Sequence, residues 1–185
     1  MSKLSVEEIS RRFESSKEFN EIFDAFEEAL DQRLDTMEIY LRLFWNQTLS
    51  PDEVCLFGEK LAKEFPTLAY DVYMWLATVF EATYAMFDNH QLSFEYFQKA
   101  SVVRPDALDA YLDAAACYER DLNIPPLTTL IEFLKKGTDS VSPPTPLYER
   151  LITLYEIDGN DEMIEYYKRK LRDCMPPPQD NPPSE

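Results

Sequence analysis

The chain has 185 residues, 45% hydrophobic and 14% aromatic, with a formal net charge of −17 from 35 acidic and 18 basic side chains. That apolar content can offset the entropy of ordering, which excludes general disorder. The charge repels phosphate backbones and anionic lipid, which argues against nucleic acid and membrane surfaces as ligands. It serves solubility, or it meets a basic partner; the composition leaves both readings open.

The first residues, MSKLSVEEISRRFESS, lack the apolar stretch of a secretory signal, and no run of about 18 apolar residues follows. The expectation is a soluble, cytoplasmic protein. Cys55, Cys117 and Cys174 are an odd number at wide spacing, fitting neither a disulfide framework nor zinc ligands. Cys55 and Cys117 are expected as small buried hydrophobes.

Apolar residues recur at helical spacing along the chain. Ser5 stands three residues before Glu8, and Ser50 three before Glu53 with Pro51 between, both in the manner of a capping box. The spacing predicts helices over about 5–15, 18–33, 35–48, 51–64, 69–87, 91–103, 107–121, 126–136, 146–157 and 161–174. Pro51, Pro66 and Pro105 break them, as do the turn formers DNHQ and DGND and the segments IPP and SPPTP. Five antiparallel helix pairs with very short joints result, so an internal repeat is expected. With only 3 glycines, phosphate-cradling loops and a turn-rich β architecture are excluded.

In residues 93–120, Phe94, Phe97 and Ala100 share one helical face, and Tyr111, Ala114, Ala115 and Tyr118 share the core face of the next helix. Ala115 permits close approach of two axes, with the tyrosines filling the space on either side. This pattern resembles the tetratricopeptide repeat, W-x2-L-G-x2-Y then A-x3-F then P. Tyr111, Ala114, Ala115 and Tyr118 stand at the positions of its first half, and Ser93, Phe97, Ala100 and Pro105 at those of its second. Leu41 and Trp45 lead to Val54, Leu61 and Pro66, while Ile22, Phe26 and Ala29 end a first pair without its proline. Tyr148, Leu151, Ile152 and Tyr155, with Ile164 and Tyr167, make the last. Pro66 and Pro105 are 39 residues apart and Tyr111 and Tyr148 are 37 apart, longer than the family's ~34. The resemblance is therefore to a divergent member.

The resemblance implies an all-α, right-handed solenoid over residues 1–175 whose first helices line a concave groove; the prolines of 176–185 predict an extended or disordered tail there. Placed on that frame, Ile39, Leu43, Asn46, Trp75, Thr78, Asp109, Leu112, Asp113, Ala116 and Glu119 line the groove, apolar at one end and acidic at the other. Trp75 is the leading anchor. Thr36, Ala82, Glu149, Thr153 and Glu156 extend the same face. The family's carboxylate clamp needs lysines that are missing here, with only Arg42 and Asn46 nearby.

Competing explanations apply to several features. The aromatics Tyr70, Tyr73, Trp75, Phe80, Tyr84, Phe87, Phe94, Tyr96 and Phe97 either fill a central core or partly serve a partner or homodimer contact. Asp106 and Asp109 suit a helix start, and Asp113 extends them into a patch that could meet Lys or Arg. DGND, with its glycine misplaced for a calcium loop, reads as a turn. His90 in FDNHQ has no nucleophile or orienting acid in a recognisable constellation.

The expectation is a non-enzymatic scaffold or adaptor that holds a peptide segment or helix of another protein, with no cofactor and no metal. A dedicated chaperone resembling the tetratricopeptide chaperones of type III secretion is the alternative, and an enzyme or small-ligand domain the third reading.

Overall fold

A computed structural model describes residues 3–83 and 87–174. Among the described residues ten helices follow one another: α1 (Val6–Ser15), α2 (Phe19–Asp31), α3 (Met37–Phe44), α4 (Pro51–Glu64), α5 (Ala69–Thr83), α6 (Phe87–Val103), α7 (Leu108–Ala116), α8 (Leu127–Ser140), α9 (Thr145–Asp158) and α10 (Asp161–Cys174). The described residues form no strand; a single antiparallel bridge joins Glu119 to Ile124. The proline-rich tail expected over 176–185 lies outside the described residues, as do Tyr84 and the side chain of Phe87.

Local chemistry starts and stops these helices. Ser50 accepts from the Glu53 backbone N–H, and the Glu53 carboxylate accepts from Ser50 N–H, closing a full capping box ahead of Pro51. Ser5 makes only the first half of such a box, because Glu8 turns instead to Arg11 and Arg12. In DGND, Gly159 takes a left-handed conformation (φ 75°) that ends α9, and Asn160 Oδ1 accepts from Met163 N–H as α10 begins. That segment is the helix-to-helix turn expected of it.

Each pair packs on itself, and the first helices also meet one another: α1 with α3, α3 with α5, α7 with α9. The second helices insert between successive first ones, α4 against α5, α6 against α7 and α8 against α9. Such neighbour-to-neighbour packing is that of an all-helical repeat. One apolar cluster runs from Ile9 in α1 to Tyr167 in α10. Fully buried Phe13, Phe26, Phe57, Phe80 and Phe97 mark its course, each contributing about 1.5–3 kcal/mol of transfer free energy.

Several boundaries differ from expectation. DNHQ is helical, forming the opening turns of α6, and Asn89 within it is 5% exposed. Burial there outweighs the turn preference of Asp and Asn. Helix α3 stops at Phe44, because the Asn46 side chain takes up backbone groups of the following turn and of α1. Helix α7 stops at Ala116, and Arg150 of α9 donates to the carbonyl of Ala115 in its last turn. The α7–α8 connection is therefore long, not a tight joint. It is fastened by Glu119–Ile124 backbone bonds and by Asn123, whose Oδ1 accepts from Leu127 N–H and from the Tyr118 hydroxyl.

Trp45, which the repeat resemblance placed inside the helix over 35–48, stands just past the end of α3. It caps α3 with 40% of its surface exposed, and Tyr40, Leu43 and Phe44 fill the core in its place. Cys55 and Cys117 are half-buried and not fully enclosed, while Cys174 is exposed.

Candidate interaction surface

The outward faces of α3, α5, α7 and α9 form the surface to which the sequence assigned its groove residues. Asp109, Asp113 and Ala116 on α7 are exposed, and Leu112 between them is half-buried against the core. Trp75 and Thr78 on α5 and Ile39 on α3 are also half-buried. The Thr78 hydroxyl is turned back to donate to the Met74 carbonyl at 3.0 Å.

Three assignments need correction. Leu43 is 0% exposed and belongs wholly to the core. Asn46 is 6% exposed, and its amide donates to the carbonyls of Phe13 (2.8 Å) and Ser16 (3.1 Å) while its Oδ1 accepts from Thr48. Asn46 holds the turn after α3 to the end of α1, and Leu43 packs into the common apolar cluster. Glu119 is exposed but lies beyond the end of α7, in the bridge to Ile124, and so leaves the helical face it was placed on. Asp106 likewise precedes the helix, leaving Asp109 as the acid of its first turn.

The acidic half of the surface contains more than the sequence indicated. Partial burial raises the Asp113 carboxyl above its ordinary value, and the like charges of Asp109 and Glu81 raise it further. Glu81, on the last turn of α5, also stands beside the Cys117 thiol, which burial pushes upward. None of the ion pairs among the described residues involves Glu81, Asp109, Asp113, Glu149 or Glu156. Arg150, the basic residue of α9, is already engaged with Ala115, and Arg42 of α3 pairs with Glu14.

Tyr70, at the start of α5, packs with Ala100 of α6 and Ala110 of α7, 5% exposed, with its hydroxyl buried and without a hydrogen-bond partner. Burial raises its phenol, as does the charge of Asp109, while Arg104 opposes. The Arg104 guanidinium sits 3.7 Å from the Tyr70 ring centroid. Glu81 was not recognisable as a neighbour of these acids from sequence, since the period of α5 is blurred by apolar residues on every side.

At the other end, Phe44, Trp45, Asn46, Gln47, Ala82 and Thr83 line an open recess of about 550 Å³ between the ends of α3 and α5. Of the central aromatics, Tyr70, Phe80, Phe94, Tyr96 and Phe97 are buried, so most belong to the core.

His90 is half-buried on α6, with its Nδ1 enclosed and without a hydrogen-bond partner. Among the described residues there is no cluster of His, Cys, Asp or Glu suited to a metal ion, and no helix is long and apolar enough to cross a membrane.

The arrangement matches solved helical proteins. The structure titled "Crystal structure of MamA" aligns over 84% of this chain and 87% of its own, with a TM-score of 0.50 and 18% identity. A second, titled "Crystal structure of MamA protein", covers 90% and 92% at TM-score 0.49 and 19% identity. The fold is an all-α helical repeat. Neither the protein-family models nor the curated proteins include a match to this chain.

Proposed function

We propose that the protein is a non-enzymatic, tetratricopeptide-like interaction module that holds a segment or helix of a partner protein on the face built by α3, α5, α7 and α9. The observation that carries this reading is the mixed character of that face: half-buried Trp75 on α5 and Leu112 on α7, with exposed Asp109, Asp113 and Ala116 on α7. A partner residue seated against Trp75 or Leu112 would gain apolar contact, and the carboxylates would fix orientation more than affinity. Micromolar binding corresponds to about −8 kcal/mol, within reach of a few such contacts on a preformed surface.

An adaptor or scaffold in the cytoplasm is the preferred setting. The test compares partners retained by the intact chain, by Trp75→Ala and by an Asp109→Lys, Asp113→Lys double variant. Loss of the same partner from both folded variants supports the reading, and full retention by both contradicts it.

A further inference from the structure

An open recess of about 500 Å³ lies where α6 and α8 end, beside the start of α7. Val102 of α6, Pro105, and Lys136 and Ser140 of α8 wall it, and the rings of Tyr111 and Phe133, 4.8 Å apart, line its depth. Val102 is 82% exposed, the most exposed large hydrophobic among the described residues. Lys136 is exposed too, and it enters none of the ion pairs among those residues. A single exposed apolar side chain is ordinary, but here it edges an aromatic-lined recess with an unpaired cation beside it.

The chain beyond the described residues supplies a matching segment. Residues 175–185 read MPPPQDNPPSE, with five prolines, two acids and no basic residue. That composition favours extended backbone at about 3.1 Å per residue. The segment follows Cys174, and the packing puts that point at the same end of the fold as the recess. A two-residue turn reverses α9 into α10, so the last turn of α10 lies beside the first turn of α9. Leu147 of that first turn meets α8 at Gly137, where an added Cβ would lie 3.0 Å from Leu147 Cδ1 and 2.8 Å from Tyr111 Cδ1. Cys174 is therefore about two interaxial spacings of roughly 8–10 Å from the end of α8. The six residues from Cys174 to Asp180 span about 19 Å when extended, which matches that separation.

We propose that residues 175–185 fold back on their own chain and occupy this recess, with Asp180 paired to Lys136 and Pro182 and Pro183 against Val102. Proline-rich backbone is stiff before it docks, so it loses little entropy on an apolar, aromatic-lined wall. The net charge of −17 repels an acidic segment from most of the surface. At this end the local charge is reversed: besides Lys136, the last turns of α10 carry Arg169, Lys170 and Arg172, all exposed. Tethering raises the effective concentration of the segment to about the millimolar range, so contacts too weak to hold a separate peptide suffice. Because α6 and α8 are second helices, the docked segment leaves the face of α3, α5, α7 and α9 open and does not depend on what that face binds.

The test is disulfide capture in the full chain, with Cys174→Ser removing the exposed thiol. Val102→Cys is combined with Pro183→Cys; as a control, Glu149→Cys, on α9 and nearer the tether, is combined with the same change at position 183. Val102 and Glu149 are both exposed, so neither substitution disturbs the core, and circular dichroism checks each fold. A disulfide needs the two Cα atoms within about 7 Å. A docked segment is expected to join positions 102 and 183 within a monomer at least about tenfold faster than positions 149 and 183. Lys136→Glu should slow the first reaction about threefold, and adding Asp180→Lys should restore it. Equal rates for the two pairs, or a faster reaction at position 149, mean an undocked segment and overturn the proposal. A bond from position 102 to position 183 of another molecule, seen as a linked dimer whose yield rises with concentration, overturns it in favour of a second copy. A rate indifferent to Lys136→Glu overturns the pairing of Asp180 and with it the proposed register.

Discussion

The side-chain amide of Asn46 donates to the main-chain carbonyl of Phe13 at 2.8 Å, tying the end of α3 to the last turn of α1. The same amide reaches Ser16, so one buried residue satisfies two carbonyls where a helix ends. Asn46→Ala leaves those carbonyls enclosed and is expected to cost about 1–3 kcal/mol, read as a lower denaturation midpoint with unchanged slope. An unchanged midpoint would remove Asn46 from its structural role.

Gly58 on α4 marks a close approach to α5. A Cβ built there would lie 2.4 Å from Leu76 Cδ1, too near for any real contact. Gly58→Ala gains up to about 1 kcal/mol of helix propensity and loses about 1–3 kcal/mol to overpacking, so net destabilisation is expected. In a Leu76→Ala background the alanine at position 58 should be tolerated or favourable. A double-mutant cycle by urea denaturation measures the coupling, and additive effects would contradict it.

Acid should weaken the first helix pair through Glu8. Its carboxyl is drawn down to about 2 by hydrogen bonds from Arg11 and then Arg12. A group depressed in the folded state supplies stability above its unfolded value near 4.5, lost as pH falls through the folded value. Glu8→Gln should therefore flatten the stability profile between those limits. Asp113 works in the opposite sense: raised in the folded state, its deprotonation opposes folding, so Asp113→Asn should leave neutral-pH stability unchanged or higher. A marked loss of neutral-pH stability in Asp113→Asn would show that its charge is used within the fold.

The three thiols should separate by reactivity. Cys174 is exposed, whereas Cys55 and Cys117 are half-buried with thiols pushed upward by burial. Near pH 8 a colorimetric disulfide reagent should modify one thiol at least about tenfold faster than the other two. Cys174→Ser should remove the fast phase, and its survival would mean that a half-buried thiol is more accessible than its packing allows.

Helix starts and core faces were the most legible features of the sequence. Ser50, Pro51 and Glu53 announce α4 through short-range chemistry, and Phe97, Ala100, Tyr111 and Ala115 announce their burial through period. Helix ends were less legible where the deciding group comes from elsewhere in the chain. Arg150, 35 residues away, bonds to the last turn of α7, and no local pattern encodes that contact. The same limit hid part of the surface: Leu43 and Asn46 follow the spacing of an outer face but are buried, Asn46 by bonds to Phe13 and Ser16 some 30 residues earlier, and Tyr70 meets Ala110 only through tertiary packing. The acids on α7 were visible because exposure and charge coincide in one short helix.

The central claim is that the face of the first helices receives a partner protein, and position-specific photo-crosslinking tests it most directly. A benzophenone amino acid at Leu112 or Thr78 should give a discrete covalent adduct with a partner polypeptide in cells, and one at Glu162 on α10 should give none. Adducts of equal yield from all three positions, or from Glu162 alone, would contradict it.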